Sequence, residues 1–131
     1  MIFVDSNVPM YLVGKAHRHK ADALRILDGL IVGEQRLVSD AEVLQKILHR
    51  YSAISRLDAI QPVFDALTSL VDEVFPIAQS DVESAKTIVL GSYGLSARDA
   101  VHVAVMRSHG ITRIMSFDTA FDRFPGLERI G

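Results

Sequence analysis

Aspartates that directly follow short apolar runs are the residues of this sequence best placed to do chemistry. Near one end Ile2-Phe3-Val4 runs into Asp5, and near the other Ile114-Met115-Ser116-Phe117 runs into Asp118. Such short apolar runs are typical of buried strands in a parallel sheet. Because ligands of open α/β sheets bind beyond the carboxyl ends of the strands, the two carboxylates predict an acidic pocket there. An all-oxygen pocket suits Mg²⁺ or Mn²⁺ better than Zn²⁺.

Two further acids stand in the first turns of predicted helices. Glu42 ends the segment Ser39-Asp40-Ala41-Glu42, and Asp99 ends Ser96-Ala97-Arg98-Asp99. Both segments match the capping box, in which the fourth residue reaches back to the N–H of the first. Capping and a functional role can coexist, because a helix that starts after a strand begins at the same sheet edge. The helix after Asp99 is apolar nearly all round, and a buried charge at its start is costly unless it is paired or metal-bound.

Each of these residues also has a purely structural interpretation. Asp5 and Asn7 are favoured helix caps. Asp118 would cap a short helix, in which Asp122 is either on the same face or a solvated surface charge. Several acids at one predicted sheet edge together favour a metal site over separate helix caps. Clustered carboxylates raise one another's pKa unless a cation lies among them.

The elements that must position these acids alternate between strands and helices. Pro9 suits the first turn of a short helix that ends at Gly14, and Pro62 marks a kink or a late start in a later helix. This alternation predicts a three-layer α/β/α sandwich with a mainly parallel central sheet. The predicted strands are about 2–5, 36–38, 73–77, 112–117 and 128–130, and the longer helices are about 17–30, 39–54, 57–70, 80–93 (closing at Gly94) and 96–109.

Composition narrows the class of protein. The 131 residues, 49% of them hydrophobic, predict one domain spanning residues 1–131. A net charge of -2 gives no overall basic footprint, so a nucleic-acid ligand would need local basic groups or a metal. The absence of cysteine excludes disulfides, thiolate metal sites and cysteine nucleophiles, and it is compatible with the cytosol. We see neither a signal peptide nor the roughly 18 apolar residues that span a membrane, so we expect a cytoplasmic protein with no membrane partner.

The five histidines form no recognisable metal or nucleophile motif. His17 and His19 lie in a basic stretch that predicts a solvated helix start. His49 falls on a polar helix face, and His109 suits a helix C-terminus, where a cation is favoured. His102 is expected to be a satisfied core or interface residue.

In their order, the acidic motifs resemble those of PIN-domain ribonucleases, and specifically the VapC toxins of prokaryotic toxin–antitoxin pairs. The resemblance covers essentially the whole chain. Segment 2–7 is similar to the family's opening strand and first acid, and Ser39-Asp40-Ala41-Glu42-Val43-Leu44 with 47–51 is similar to the second. Segment 97–104 is similar to the third, and Ser116-Phe117-Asp118 to the fourth, with Asp122 at the place of an accessory acid. The departures are Ser6, where threonine is commoner, and Asp40, an acid that the family does not require.

The resemblance implies metal-dependent endonucleolytic cleavage of RNA, with Mg²⁺ or Mn²⁺ as the cofactor. Under this hypothesis Asp5, Asp99 and Asp118 bind the metal, which activates a water molecule. Glu42 acts directly or through a bound water. Accessory roles fall to Ser6, Asn7 and Asp122, and the candidate RNA phosphate contacts are Lys15, Lys46, Arg50 and Arg98.

The resemblance also implies partners, while other classes of protein stay open. It implies a small VapB-like antitoxin that wraps the toxin and blocks its site, and a homodimer. One alternative is a catalytically silent PIN-like binding module. Another is a phosphatase or phosphoacceptor domain with Asp5 as nucleophile. That alternative is disfavoured, because Asn7 stands where a dehalogenase-type enzyme wants a second Asp and no Lys follows Lys86.

Overall fold

A parallel sheet forms the centre of the molecule. The computed structural model describes residues 1–14 and 18–131. Within them, the sheet has five strands in the order β3-β2-β1-β4-β5, and all neighbouring strands run parallel. The prediction of a mainly parallel sheet is confirmed. The strands are β1 (Ile2–Val4), β2 (Leu37–Asp40), β3 (Glu73–Phe75), β4 (Arg113–Met115) and β5 (Glu128–Ile130).

Helices connect successive strands and cover the sheet. The chain steps from β1 to β2 to β3 in one direction and then returns across the sheet to β4. Because parallel crossovers are right-handed, the helices of the first two connections lie on one face and those of the return on the other. The three-layer prediction is thereby confirmed. The helices are α1 (Asn7–Val13), α2 (Lys20–Val32), α3 (Ala41–Ala53), α4 (Ile60–Leu70), α5 (Gln79–Leu90) and α6 (Ala97–Ser108), with 3₁₀ turns at Leu57–Ala59 and Thr119–Arg123.

Packing between the helices agrees with this division. Helix α1 packs against α2 and α4, α3 packs against α4, and α5 packs against α6. None of the helices in the described ranges is long and apolar enough to traverse a bilayer.

The central strand β1 sits where the strand order reverses direction. All three of its residues are fully buried, because helices cover both faces of the sheet, and this explains the uninterrupted apolar run. Such a reversal opens a crevice beyond the carboxyl ends of the two strands that flank it, here β1 and β4. The register pairs Val4 with Met115, and the Asp5 N–H donates to the Met115 carbonyl at 3.0 Å. Asp5 and the segment that follows β4 therefore meet at this crevice.

Strand β2 continues two residues further than predicted, and this changes how helix α3 begins. Ser39 lies in the strand and donates its hydroxyl to the Val4 carbonyl at 2.9 Å. Asp40 is the N-cap instead, since its Oδ1 accepts the Val43 N–H at 2.9 Å. The predicted capping box of Ser39 and Glu42 is therefore wrong. The tertiary hydrogen bond to β1 holds Ser39 in the sheet and moves the cap one residue along.

Local backbone geometry sets the other boundaries. Pro62 lies in the first turn of α4, after a 3₁₀ turn, so the predicted late start is confirmed. The helix predicted to close at Gly94 ends before Gly91, because Ser92 and Gly94 adopt left-handed backbone (φ 59° and 79°) that an α-helix does not accommodate. The strands predicted over 73–77 and 112–117 are shorter in the structure, at 73–75 and 113–115.

Two leucines near α4 provide a test of this packing. Leu67 is fully buried, whereas Leu57 in the preceding 3₁₀ turn is 66% exposed. Leu67→Ala is expected to lower the free energy of unfolding by about 2–5 kcal/mol, because it leaves a cavity. Leu57→Ala should change it by no more than about 0.5 kcal/mol. Urea denaturation of the two variants measures the difference, and equal losses would contradict the burial of the Leu67 face.

Candidate active site

Asp5 occupies the centre of the crevice, fully buried at the end of β1. Its Oδ1 accepts the Ser6 N–H at 2.7 Å. Its Oδ2 accepts the Ser116 hydroxyl at 2.6 Å and, at 3.4 Å, the Asn7 side-chain amide. Both oxygens are thus held in one orientation, and two of the three predicted accessory residues, Ser6 and Asn7, contact this carboxylate.

Ser116 joins the ends of β1 and β4 and was not predicted as a site residue. Besides donating to Asp5, its buried hydroxyl accepts the Asn7 amide at 3.2 Å and the Asp118 N–H at 3.1 Å. Asn7 closes the network, because its Oδ1 accepts the Phe117 N–H at 3.3 Å. The signal in the sequence was a hydroxyl residue interrupting an apolar run just before an aspartate.

Asp99 lies nearby in the first turn of α6 and is 5% exposed. Burial raises the pKa of its carboxyl, and the negative charges of Asp5 and Asp118 raise it further against the opposing positive influence of His102 and Lys46. No side chain or N–H in the described part of the protein donates to this carboxylate. The structure therefore brings three predicted acids into one electrostatic neighbourhood and leaves one of them without a donor.

Asp118 and Asp122 lie in different environments. Asp118 is half-buried and caps the 3₁₀ turn after β4, because its Oδ1 accepts the Ala120 N–H at 2.9 Å. Its capping interpretation is confirmed and leaves Oδ2 for another partner. Asp122 is exposed and paired with Arg129 at 2.9 Å, and the hydrogen bond from Arg129 lowers the pKa of Asp122. An accessory role for Asp122 stays a prediction.

Glu42 and Arg98 connect the first turns of α3 and α6. Arg98 Nε donates to Glu42 Oε1 at 2.9 Å, and the two side chains are 30% and 25% exposed. Arg98 therefore engages Glu42 and not its neighbour Asp99. The pair leaves the Glu42 carboxylate partly accessible at the same edge of the sheet.

Asp40 and His102 form a fully buried pair that was not predicted. His102 Nδ1 lies 2.8 Å from Asp40 Oδ2, and the imidazole packs against Phe3 with ring centroids 5.3 Å apart. Burial acts to lower the pKa of His102, but the hydrogen bond and charge of Asp40, together with Asp5 and Asp99, outweigh it and raise that pKa. The protonated form of His102 is thus favoured by three neighbouring acids, Asp40 first among them.

The expectation of a core histidine is confirmed for His102, but its hydrogen bonding is half satisfied. Its Nε2 is buried and has no hydrogen-bond partner among the residues that the structure describes. The sequence signalled neither this pairing nor the role of Asp40, because 62 residues separate the two.

A cleft of about 680 Å³ opens beside these residues. Asp118 is the acid that lines this cleft. Three of the predicted phosphate contacts also lie on its walls, namely Lys46, Arg50 and Arg98. Lys15, the fourth predicted contact, lies outside the described residues, as does His17. The remaining walls are Ser6, Asn7, Met10, Tyr11, His49, Tyr51, Ile54 and Phe117.

The chemistry of these side chains fits a hard divalent ion, with few direct ligands. Across residues 1–14 and 18–131, no three or more carboxylate or histidine side chains are grouped to hold a metal directly. Asp5 and Glu42 are engaged by hydrogen bonds, whereas Asp99 lacks a donor and Asp118 has one free oxygen. Mg²⁺ characteristically keeps several waters and binds through one or two carboxylates plus substrate phosphates, which this arrangement can provide.

Comparison with known proteins assigns the family. The PIN domain model matches residues 2–127. The chain belongs to the PIN-domain family. This PIN domain is 59% identical over 130 residues to ribonuclease VapC13 of Mycobacterium tuberculosis and to a VapC ribonuclease of Mycobacterium bovis, covering 99% of each chain. It is 36% identical over 118 residues to ribonuclease VapC23 of Mycobacterium tuberculosis, with 90% of this chain and 93% of the relative covered. The expected family resemblance is confirmed.

Solved structures agree on the PIN fold. VapBC2 of Rickettsia felis, in complex with promoter DNA, matches with a TM-score of 0.74 at 16% identity over 99% of this chain and 98% of that one. VapC20 of Mycobacterium tuberculosis, a toxin that cleaves the sarcin-ricin loop, matches with a TM-score of 0.70 at 21% identity over 91% of both. At these identities the likeness is one of fold.

Replacing Asp40 tests the buried pair of this PIN domain. Asparagine caps a helix as well as aspartate does, so Asp40→Asn removes the charge and keeps the cap. The pKa of His102 is higher in the folded protein than in the unfolded chain, so protonation of His102 stabilises the fold. This stabilisation is complete at pH values below the pKa of the unfolded chain, and it is lost as the pH rises through the pKa of the folded protein. We expect Asp40→Asn to cost up to about 3–5 kcal/mol near pH 5.5, and clearly less above the pKa of His102.

Urea denaturation across this pH range measures the effect. Asp28→Asn, at an exposed position on α2, serves as the matched control and should leave stability unchanged at every pH. A loss in Asp40→Asn that is independent of pH would show that His102 carries no charge in the folded protein.

Proposed function

We propose that this PIN-domain protein is a divalent-metal-dependent endoribonuclease of the VapC type. The observation that carries the proposal is the buried carboxylate of Asp99, which accepts no hydrogen bond from the described residues and has a raised pKa beside Asp5 and Asp118. Its need for a positive partner is what a bound cation satisfies. The identity of the relatives supports RNA cleavage, since proteins 59% identical along 99% of the chain are VapC ribonucleases.

Three carboxylates would hold the ion at the crevice. Asp99 and Asp118 have oxygens available for direct contact, and Asp5, both of whose oxygens accept hydrogen bonds, would act through water. Mg²⁺ or Mn²⁺, when bound, supplies an activated water and offsets negative charge on the phosphate. The cation also allows a polyanionic strand to approach an acidic pocket.

The other residues orient this machinery and handle the proton. Ser116 and Asn7 fix the Asp5 carboxylate. Glu42 would accept a proton from water, directly or through a second water, and its ion pair joins its carboxylate to Arg98, which lines the cleft. Positive charge from Lys46 and Arg50 on the same cleft offers contacts for substrate phosphates.

A phosphatase with Asp5 as nucleophile is not favoured. A nucleophilic carboxylate needs an oxygen that can reach a phosphorus atom. Asp5 is fully buried and both of its oxygens accept hydrogen bonds from neighbouring groups. Its environment suits a fixed ligand or an orienting group.

A toxin role with a VapB-like antitoxin and a homodimeric state completes the proposal. Large apolar side chains on α2 are exposed, with Ile31 at 56% and Val32 at 83%, which suits coverage by a protein partner. Co-expression with the product of a small neighbouring reading frame should yield a co-purifying complex and relieve growth arrest. Arrest that persists in Asp5→Asn would contradict a toxin role based on this site.

Substitution of the acids tests the proposed chemistry. Asp5→Asn and Asp99→Asn should each lower cleavage of an RNA panel in Mg²⁺ or Mn²⁺ by at least about 100-fold, because each weakens the hold on the ion. Asp28→Asn, which changes an exposed acid on α2, should cut like the wild type. Single-turnover assays with end-labelled RNA measure the rates, and circular dichroism checks folding.

Two results would contradict the endonuclease proposal. Cleavage that survives Asp5→Asn would place the activity elsewhere. Absence of cleavage by the wild type across total tRNA, rRNA and mRNA would favour the silent binding module.

Metal binding should depend on pH through Asp99. Metal and proton compete for a carboxylate, and burial with neighbouring acids raises the pKa of Asp99. Affinity for Mn²⁺ is therefore expected to fall as pH decreases through this raised pKa, at a higher pH than for an ordinary aspartate. Calorimetric titration of the purified protein measures the profile. Asp99→Asn should bind more weakly and with a flatter pH profile, and an unchanged profile would exclude Asp99 as a ligand.

A further inference from the structure

Burial distinguishes His102 from the other histidines that the structure describes. Its side chain is fully buried, whereas His49 and His109 are exposed. His19 is half-buried and stacks on Phe117, with ring centroids 4.6 Å apart, so the expectation that it is solvated is wrong. A ring nitrogen at the surface can bond bulk water, but both ring nitrogens of His102 must find their partners inside the protein.

The contact with Asp40 defines the role of one ring nitrogen and leaves the other without a partner. An ionised carboxylate only accepts hydrogen bonds, so the 2.8 Å contact with Asp40 Oδ2 means that His102 Nδ1 carries a proton. Across residues 1–14 and 18–131, the opposite nitrogen, Nε2, is the one buried side-chain polar atom that has no hydrogen-bond partner. Native proteins rarely leave such an atom unpaired, because its lost hydration is then not replaced.

Helix geometry places Asp99 beside this imidazole. Asp99 and His102 are three residues apart on α6, and residues with this spacing are neighbours on one face of a helix. Helical side chains lean toward the N-terminus of the helix, so His102 leans over the turn that contains Asp99. The two groups interact electrostatically, yet no hydrogen bond joins them directly. Polar groups that interact across more than about 3.5 Å are commonly bridged by water.

The register of the sheet brings Asp5 to the same place. Phe3 pairs with Val38, so the same register continued by two residues sets Asp5 beside Asp40. Side chains two residues apart on a strand share a face, and Asp5 therefore lies on the face of Phe3, against which His102 packs. Carboxylates from β1, β2 and α6 thus surround the imidazole, and a buried water needs two to four such polar partners.

We propose that His102 is a positioning residue that holds the Asp99 carboxylate through one bridging water molecule. In either protonation state of the ring, this water donates one hydrogen to Asp99. It donates its other hydrogen to a neutral Nε2, or it accepts the hydrogen of a protonated Nε2. The bridge supplies the donor that Asp99 lacks among the described residues. This inference rests on the proposed function, because a metal-binding carboxylate is oriented by such hydrogen bonds.

Two neutral substitutions separate the two ring nitrogens of His102. The amide nitrogen of asparagine lies as many bonds from the backbone as Nδ1, and that of glutamine as many as Nε2. His102→Asn therefore keeps a donor to Asp40 and loses the bridge, whereas His102→Gln keeps the bridge and loses that donor. Any effect of removing the imidazole charge is common to both variants. We expect His102→Asn to bind Mn²⁺ roughly 10- to 100-fold more weakly than His102→Gln.

Calorimetric titration with Mn²⁺ measures the two affinities, and urea denaturation shows whether each variant folds. His109→Asn and His109→Gln are the matched controls, because His109 is exposed at the opposite end of α6, and these two variants should bind Mn²⁺ alike. A crystal structure of the metal-free wild type tests the bridge itself. It should show a water about 2.7–3.2 Å from both His102 Nε2 and an Asp99 oxygen.

Two results would overturn the positioning role. One is a wild-type crystal structure without this water, and it decides the matter if either His102 variant fails to fold. The other is equal binding of Mn²⁺ by His102→Asn and His102→Gln, or tighter binding by His102→Asn, which would assign His102 a structural role through Asp40. A bridging water in a wild type that binds no Mn²⁺ would keep the bridge and contradict the metal-dependent nuclease. Binding of Mn²⁺ by a wild type without the bridging water would do the reverse.

Discussion

Five carboxylates lie at the carboxyl edge of one small sheet, and the rest of the site depends on how their mutual repulsion is compensated. Four of them are compensated by hydrogen-bond donors or cationic side chains within the protein. Ser6, Ser116 and Asn7 donate hydrogen bonds to Asp5, and the backbone N–H of Ala120 donates to Asp118. Glu42 pairs with Arg98, and Asp40 with the buried His102. Asp99 has no comparable partner among the described residues, and burial, followed by the negative charges of Asp5 and Asp118, raises its pKa.

The acids therefore fall into two groups, those that stabilise the fold and those that are available for a ligand. The Asp40–His102 pair lies beneath the site and holds the start of α3 through the Asp40 cap. The carboxylate without a donor among the described residues, Asp99, lies in the first turn of α6 and follows Arg98, which lines the cleft.

The cleft lies at the same edge of the sheet as the acids. The switch in strand order places the ends of β1 and β4 side by side, and the segment after β4 contributes both Asp118 and the ring of Phe117. Helix α3 contributes Glu42 from its first turn and Lys46 and Arg50 from the following turns. The same few segments therefore supply both the acids and the residues that line the cleft.

The sequence by itself determined the layered α/β architecture, the order of the elements and the placement of acids at strand ends and helix starts. These features depend on local periodicity and on the rule that the carboxyl ends of parallel strands share one edge of the sheet. Tertiary structure alone decided the partners. Ser39 stayed in the sheet through its hydrogen bond to Val4, which made Asp40 the cap. Contacts with residues distant in sequence were formed by Ser116, His102 and His19. Arg98 pairs with Glu42 and not with the adjacent Asp99. Side-chain pairing over such separations is set by how the helices pack on the sheet, and no local pattern in the chain records it.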